Sequence, residues 1–485
     1  MGLKATYMAE SLKNKTFKGF IWSALQKFSV QGVQFVVMLI IAKILGPRAF
    51  GLVGMLAIFI SISETFINSG FSQALIRKQD RTDTDNCTVF YFNIVVAVVM
   101  YIVLFLIAPW VSVFYHEPEL TKLLRVIGLV VIIHSFAVVQ RSIYTAAIDF
   151  KTLAKISFTC ALVSGAVGLY MAYSGFGVWT LVGQQLTRAA CSAILLWWYS
   201  SWRPKLIYSW QSFRSLFAFG SNMLLSGLLN TLYGNIYQIT IGKLFSAQSL
   251  GFFTQAKTIA SLPSSNLNDI VGSVTYPVLS SIQNEDERLA VNYRKLLRVS
   301  AFVVFPLMCG LAAVSTPLID VFLGDQWHFT AVLLIPICFN MMWYPVHAIN
   351  LNLLKVKGRS DLFLRLEIIK KILGILVLVA TTSFGVLVMC YGSIVSGLLA
   401  LFINTYYTGK FIHVGFLRQM RDLSGVLFAS LSMFALVYCL IMLFTNSIVQ
   451  LIVGIVVGVA YFALVCLVFK FDEIDYIKSL IIKKK

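Results

Sequence analysis

Apolar stretches of bilayer length recur from one end of this chain to the other, and no other feature limits its fold as tightly. About fourteen are legible, at 19–42, 50–72, 87–109, 123–145, 154–174, 178–199, 214–237, 246–275, 297–322, 329–353, 362–383, 386–408, 421–444 and 447–470. Each is close to the roughly 20 residues that a hydrocarbon core requires. Backbone groups in lipid must bond within their own segment, and these runs are too long for barrel strands, so each is read as a helix. They take up roughly two-thirds of the 485 residues, which leaves short connections and no room for a soluble domain. The expected fold class is an all-α polytopic membrane protein with about fourteen transmembrane helices.

Charge supports this reading. Only 12% of residues are charged, about half the ~25% usual in soluble chains. The formal net charge is +19, from 39 Lys+Arg against 20 Asp+Glu. In a soluble protein that balance would suggest nucleic acid. With the N-terminus placed inside, about 29 of the 39 basic residues fall in inner segments, Arg141 and Arg203 among them. The excess is therefore a topology signal, nucleic acid is not expected as a partner, and both termini are placed in the cytoplasm. The eight cysteines form no CxxC pair and sit with no histidines at metal-site spacing. They are read as apolar packing residues, and no metal or cofactor is expected beyond H+ or Na+ as a coupling ion.

The chain also repeats. Ile41-Ala42-Lys43 through Gly46-Pro47-Arg48-Ala49-Phe50-Gly51 can be laid over Ile241-Gly242-Lys243 through Gln248-Ser249-Leu250-Gly251, with Ile, Lys and the last Gly coinciding. Phe176-Gly177-Val178 recurs as Phe384-Gly385-Val386. Two matches at nearly equal offset predict parallel six-helix lobes around a central cavity, plus two C-terminal helices, the arrangement of a transporter. The boundaries are an N-lobe at 1–210, a C-lobe at 211–413, and the last two spans with a tail at 414–485. Six of the ten prolines (263, 277, 306, 317, 336 and 345) lie in spans 8 to 10, which places bent helices in the second half.

Polar residues inside the spans locate the cargo. Span 1 carries Ser23, Lys27, Gln31 and Gln34 on one helical face, and span 7 carries Asn222, Ser226, Asn230, Tyr233 and Tyr237 at matching steps. Glu64 and Asn68 add to span 2. Such faces avoid lipid, so they either line water or hold helices together; stripes repeated in both halves favour a wet cavity. Lys27, Arg188 and Lys257 are intramembrane cations with no carboxylate one turn away, and an anionic cargo group would balance them. Glu367 and Lys371 are expected to pair, leaving Lys370 as a further cation. Glu64, and after it Asp269, are the carboxylates for ion coupling. Either could instead neutralise Lys27 or Lys257. His134 and His347 are read as hydrogen-bonded packing residues.

Several blocks look familiar. Leu45-Gly46-Pro47-Arg48-Ala49-Phe50-Gly51, Leu250-Gly251-Phe252-Phe253, Tyr276-Pro277-Val278-Leu279-Ser280, Leu323-Gly324-Asp325-Gln326-Trp327 and Gly358-Arg359-Ser360-Asp361 keep the order found in one family. From about residue 12 to the end, the chain resembles the polysaccharide-transporter branch of the MOP (multidrug/oligosaccharidyl-lipid/polysaccharide) exporters. Within that branch it is most like the lipopolysaccharide, O-antigen and colanic-acid-type flippases.

The resemblance implies a bacterial inner-membrane flippase working by alternating access. It would carry an undecaprenyl-pyrophosphate-linked oligosaccharide from the cytoplasmic to the periplasmic leaflet. Its partners would be that lipid-linked oligosaccharide, membrane lipids, and the polysaccharide polymerase or export machinery. The pyrophosphate would meet Lys27, Arg188, Lys257 and Lys370, and the glycan Gln31, Gln34, Asn68, Asn222, Asn230, Tyr233 and Tyr237. The lipid II flippases of the same superfamily keep arginines in helices 1, 2 and 8. This chain has Lys27, Glu64 and Lys257 in those helices. The rival readings are a drug or cation antiporter, which needs a cavity dominated by carboxylates, and a polysaccharide polymerase or ligase, which needs a sizeable outer loop.

Overall fold

The computed structural model describes residues 22, 27–68, 71–78, 80–471 and 473, with side chains at all of these except 77, 218–219, 222 and 266–274. Ser23 and both chain termini lie outside the described residues, as do the side chains of Asn222 and Asp269. Every regular element among the described residues is a helix. The chain divides into two units, Met1–Gly251 and Phe252–Lys485.

The first unit holds α1 (Lys27–Leu45), α2 (Pro47–Asn68), α3 (Phe71–Arg77), α4 (Asp83–Tyr115), α5 (Leu120–Ile127), α6 (Leu129–Ser135) and α7 (Val138–Ala146). It continues through α8 (Phe150–Tyr173), α9 (Trp179–Tyr199), α10 (Trp210–Leu244) and the first turn of α11 (Ala247–Ser280). The second unit takes the rest of α11 and then α12 (Asp286–Ala313), α13 (Ser315–Phe322), α14 (His328–Met341) and α15 (Tyr344–Val356). It closes with α16 (Ser360–Thr382), α17 (Val386–Ile412), α18 (Phe416–Ile441) and α19 (Ser447–Phe469).

Nine passages among the described residues are long and apolar enough to cross a membrane, and the pair Leu120–Ser135 and Val138–Ala146, bent by 44°, makes a tenth. Helices α9, α16, α11 and α10 carry more polar residues but run 21, 23, 34 and 35 residues, enough to cross ~30 Å at 1.5 Å per residue. With them the passages of bilayer length number fourteen, consistent with the sequence reading. The protein is an all-α, multi-pass membrane protein. Its outward faces are hydrocarbon: Val459 and Leu467 on α19 are 67% and 73% exposed, which only a lipid surroundings makes favourable.

Local chemistry sets the helix ends. Gly46 adopts a left-handed conformation (φ 73°), and Pro47 opens α2 at a position where its missing N–H costs nothing. Thr82 and Asp85 form a reciprocal capping box on α4, while Asp149 caps α8 and Asn446 caps α19. The prolines expected to bend the second half sit in continuous helices or a first turn: Pro306 inside α12, Pro336 inside α14 and Pro345 at the start of α15. The 44° break lies in the first half, between α6 and α7. No proline lies there; the sequence at the break is Ser135-Phe136-Ala137.

In the first unit the two copies of the repeated turn pack on each other. A Cβ placed on Gly51 would lie 1.6 Å from the Ala247 carbonyl oxygen, and one on Gly251 would lie 1.9 Å from that of Pro47. Glycine is the residue that allows such backbone contact between membrane helices. Helix α10 packs on α2, α3 and α4 within this unit. The boundaries at 210 and 413 follow the repeat and are proposed on that basis alone.

The second unit has a buried polar core. Tyr293 donates to Asn350 (2.9 Å), and Gln419 donates to Asn350, Thr408 and the Val414 carbonyl at 3.0–3.1 Å. Nearby, Arg294 of α12 makes a two-pronged salt bridge to Asp422 of α18, at 2.5 and 2.6 Å.

Candidate functional site

Six helices of the first unit turn polar faces toward one cavity of about 830 Å³. Helix α1 contributes Lys27, Gln31 and Gln34, spaced by four and three residues along one face. Helix α9 presents Gln185, Arg188 and Ser192 at steps of three and four, α8 presents Ser157 and Cys160, and α2 presents Glu64. The broken span supplies the rest of the wall, with His134 on α6 and Arg141 on α7.

Among the described residues the charges inside are unequal: Lys27, Arg141 and Arg188 face a single carboxylate, Glu64. Glu64 Oε1 lies 3.0 Å from His134 Nδ1. Arg141 Nη2 donates to Ser192 Oγ at 3.2 Å. With the Gln34 amide turned to face it, the side-chain oxygen of Gln34 accepts from Arg188 Nη1 and Nη2 at 2.5 and 3.1 Å. Among the described residues no carboxylate is within ion-pair distance of Arg141 or Arg188, although each feels the charge of Glu64 and Arg188 that of Arg141. Both guanidiniums are exposed to the cavity. Like charges in such a place are relieved by a bound anion, and guanidinium forks match phosphate oxygens in geometry.

Of the residues expected from sequence, the cavity gathers Lys27, Gln31, Gln34, Glu64 and Arg188. Asn68, Asn230, Tyr233 and Tyr237 are not among its lining residues, and neither are Lys257 and Lys370. Lys370 is not the spare cation of its helix: Glu367 pairs with it at i+3, at 2.5 Å. His347 packs in the second unit against the Asn404 amide, 3.2 Å away, as expected.

His134 and Arg141 line the cavity without being among the site residues expected from sequence. His134 faces the cavity and lies 3.0 Å from Glu64, so it does more than pack. Arg141, on α7 beyond the 44° break, lines the cavity wall. Gln185, Arg188 and Ser192 form a stripe that helical spacing could have revealed. No group of three or more His, Cys, Asp or Glu able to hold a metal occurs among the described residues.

A many-helix membrane fold whose first unit holds a polar, cationic cavity defines a transporter-like protein. The chain belongs to the polysaccharide biosynthesis protein family, whose sequence pattern matches residues 40–332. It is similar to the lipopolysaccharide biosynthesis protein WzxC of Escherichia coli K12, at 24% identity over 75% of each chain. It is also similar to the succinoglycan biosynthesis transport protein ExoT of Rhizobium meliloti, at 25% identity over 64% of this chain and 62% of that one. In fold it matches the lipid II flippase MurJ in an inward closed conformation, with a TM-score of 0.67, 13% identity, and coverage of 94% of this chain and 98% of that one.

Proposed function

We propose that the protein is a flippase of the bacterial inner membrane. It moves an undecaprenyl-pyrophosphate-linked oligosaccharide from the cytoplasmic to the periplasmic leaflet by alternating access, with both termini in the cytoplasm. The observation that carries this reading is the cationic cavity, in which Lys27, Arg141 and Arg188 face one carboxylate. Family membership and the biosynthetic and transport names of the relatives support it.

In this reading Lys27, Arg141 and Arg188 hold the pyrophosphate. Gln31, Gln34 and Gln185 meet the first sugars by hydrogen bonds. Asn68, Asn230, Tyr233 and Tyr237 are assigned to more distant sugars, and Lys257 to the path the anion takes outside this cavity. Glu64, bonded to His134, is the carboxylate through which a proton or sodium gradient acts. A drug or cation antiporter fits poorly, because three fixed cations would repel its substrate.

Deletion in the native host tests the proposal. Surface polysaccharide should disappear while lipid-linked oligosaccharide accumulates. A plasmid copy of the wild type should restore export, and one carrying Arg188→Ala should not. Normal surface polysaccharide without accumulated intermediate would overturn the reading.

A further inference from the structure

Beside the cavity, on neighbouring faces of α6 and α9, lies an apolar groove of about 500 Å³, within the roughly 300–1,000 Å³ of small-ligand sites. Ile133, Phe136, Ile194, Trp197 and Trp198 line it, with Arg203 at one end. Groove and cavity are separated by a single wall. Ile133 faces the groove and the next residue, His134, faces the cavity; Ala193 faces the groove and Ser192 the cavity.

Hydrogen bonds at the helix break hold this wall together. Trp197 Nε1 donates to the Phe136 carbonyl at 2.8 Å. The buried Gln140 amide, turned to suit both neighbours, donates to the same carbonyl at 2.8 Å and accepts from Trp197 Nε1 at 3.2 Å. Two side chains, Trp197 of α9 and Gln140 of α7, thus meet on one backbone carbonyl at the point where α6 ends and α7 turns away.

We propose that this groove seats the polyisoprenoid chain of the lipid-linked cargo, with the pyrophosphate passing through the α6–α9 seam to Arg141 and Arg188. The inference rests on the flippase reading and adds the place where the tail lies and the side from which the head enters. Two observations favour a polyprenyl chain over an ordinary phospholipid. Arg203, at the groove's end, already donates to the carbonyls of Ser200 (2.6 Å), Trp202 (2.9 Å) and Trp197 (3.0 Å), so it caps α9 and is largely occupied. The guanidiniums open to a phosphate, those of Arg141 and Arg188, line the cavity and not the groove. An amphiphile with its phosphates on one side of this wall and its hydrocarbon on the other satisfies both surfaces at once. The broad, amphipathic faces of Trp197 and Trp198 suit a chain bearing many methyl branches.

The test uses the full chain in liposomes of phosphatidylethanolamine and a polyprenyl diphosphate with a photoreactive diazirine on its chain. Crosslinks should map to α6 and α9. A tenfold excess of unlabelled polyprenyl diphosphate should abolish them, and the same excess of phosphatidylglycerol should not. Trp198→Ala removes an 81% exposed ring and should lower crosslinking at least fivefold. Crosslinks confined to other helices, or equal competition by phosphatidylglycerol, would overturn the proposal without any variant being needed. Binding of inorganic pyrophosphate, measured in parallel, separates the two levels. If it persists while the chain crosslinks elsewhere, only the groove assignment fails; if the wild type binds none, the flippase reading fails with it.

Discussion

Gly51 and Gly251 lie in backbone contact, 200 positions apart at equivalent points of the repeat. A Cβ on Gly251 would come within 3.2 Å of the Gly51 nitrogen and 1.9 Å of the Pro47 oxygen, and a Cβ on Gly51 would strike Ala247 in the same way. The contact is reciprocal, as a pair of related turns meeting across a local two-fold would make it. It accounts for the coincidence of glycine at both positions.

Gly51→Ala and Gly251→Ala should each destabilise the protein by about 1–3 kcal/mol, because backbone must move to admit a methyl group. Alanine's better helix propensity, worth up to ~1 kcal/mol, works in the opposite direction. Gly32 on α1, where a Cβ would meet nothing within 4 Å, isolates that second effect, and Gly32→Ala should be neutral or stabilising. Thermal unfolding in detergent checks the sign at all three positions. A stabilised Gly51→Ala would contradict the packing argument.

Arg141→Gln and Arg188→Gln should each weaken binding of inorganic pyrophosphate about tenfold or more, since a hydrogen bond to a charged group contributes ~1.5–3 kcal/mol. Arg188→Lys should recover part of the loss, because the charge returns without the two-pronged fork that also grips Gln34. Titration calorimetry measures all three. Wild-type affinity in both glutamine variants would remove the pyrophosphate role.

Glu64→Gln takes the lone carboxylate from the cationic cavity. Pyrophosphate should bind as tightly or more tightly, because an anion has gone from beside the site. Transport in liposomes should lose its response to an imposed proton or sodium gradient. Undiminished gradient-driven transport by this variant would rule Glu64 out as the coupling group.

Arg294→Ala should cost roughly 2–3 kcal/mol by stranding Asp422. The expected loss is below the ~3–5 kcal/mol of a fully buried pair because the Arg294 side chain is 32% exposed, against 7% for Asp422. Replacing both partners by leucine should restore most of the stability, since no uncompensated charge remains. Chemical denaturation of the single and double variants distinguishes this from a general loss of packing: equal destabilisation would mean that the ion pair itself, and not the orphaned carboxylate, carries the energy.

The helices were legible because bilayer length and hydropathy are local properties, readable in any window of the chain. So were the turn at Gly46-Pro47, the stripe at Lys27, Gln31 and Gln34, and the unbalanced Arg188, since a helical period fixes which residues share a face. Sequence by itself determined an all-helical membrane protein with a repeat and a shortage of intramembrane carboxylates. Tertiary structure decided which polar faces meet. Ser135-Phe136-Ala137 carries no proline to announce a bend, yet the chain bends there by 44°, with His134 against Glu64 on one side of the break and Arg141 against Ser192 on the other. Such a break depends on what packs around it, here Trp197 and Gln140 from other turns. A cavity made by residues distant in sequence belongs to the packed structure, and no window along the chain contains it.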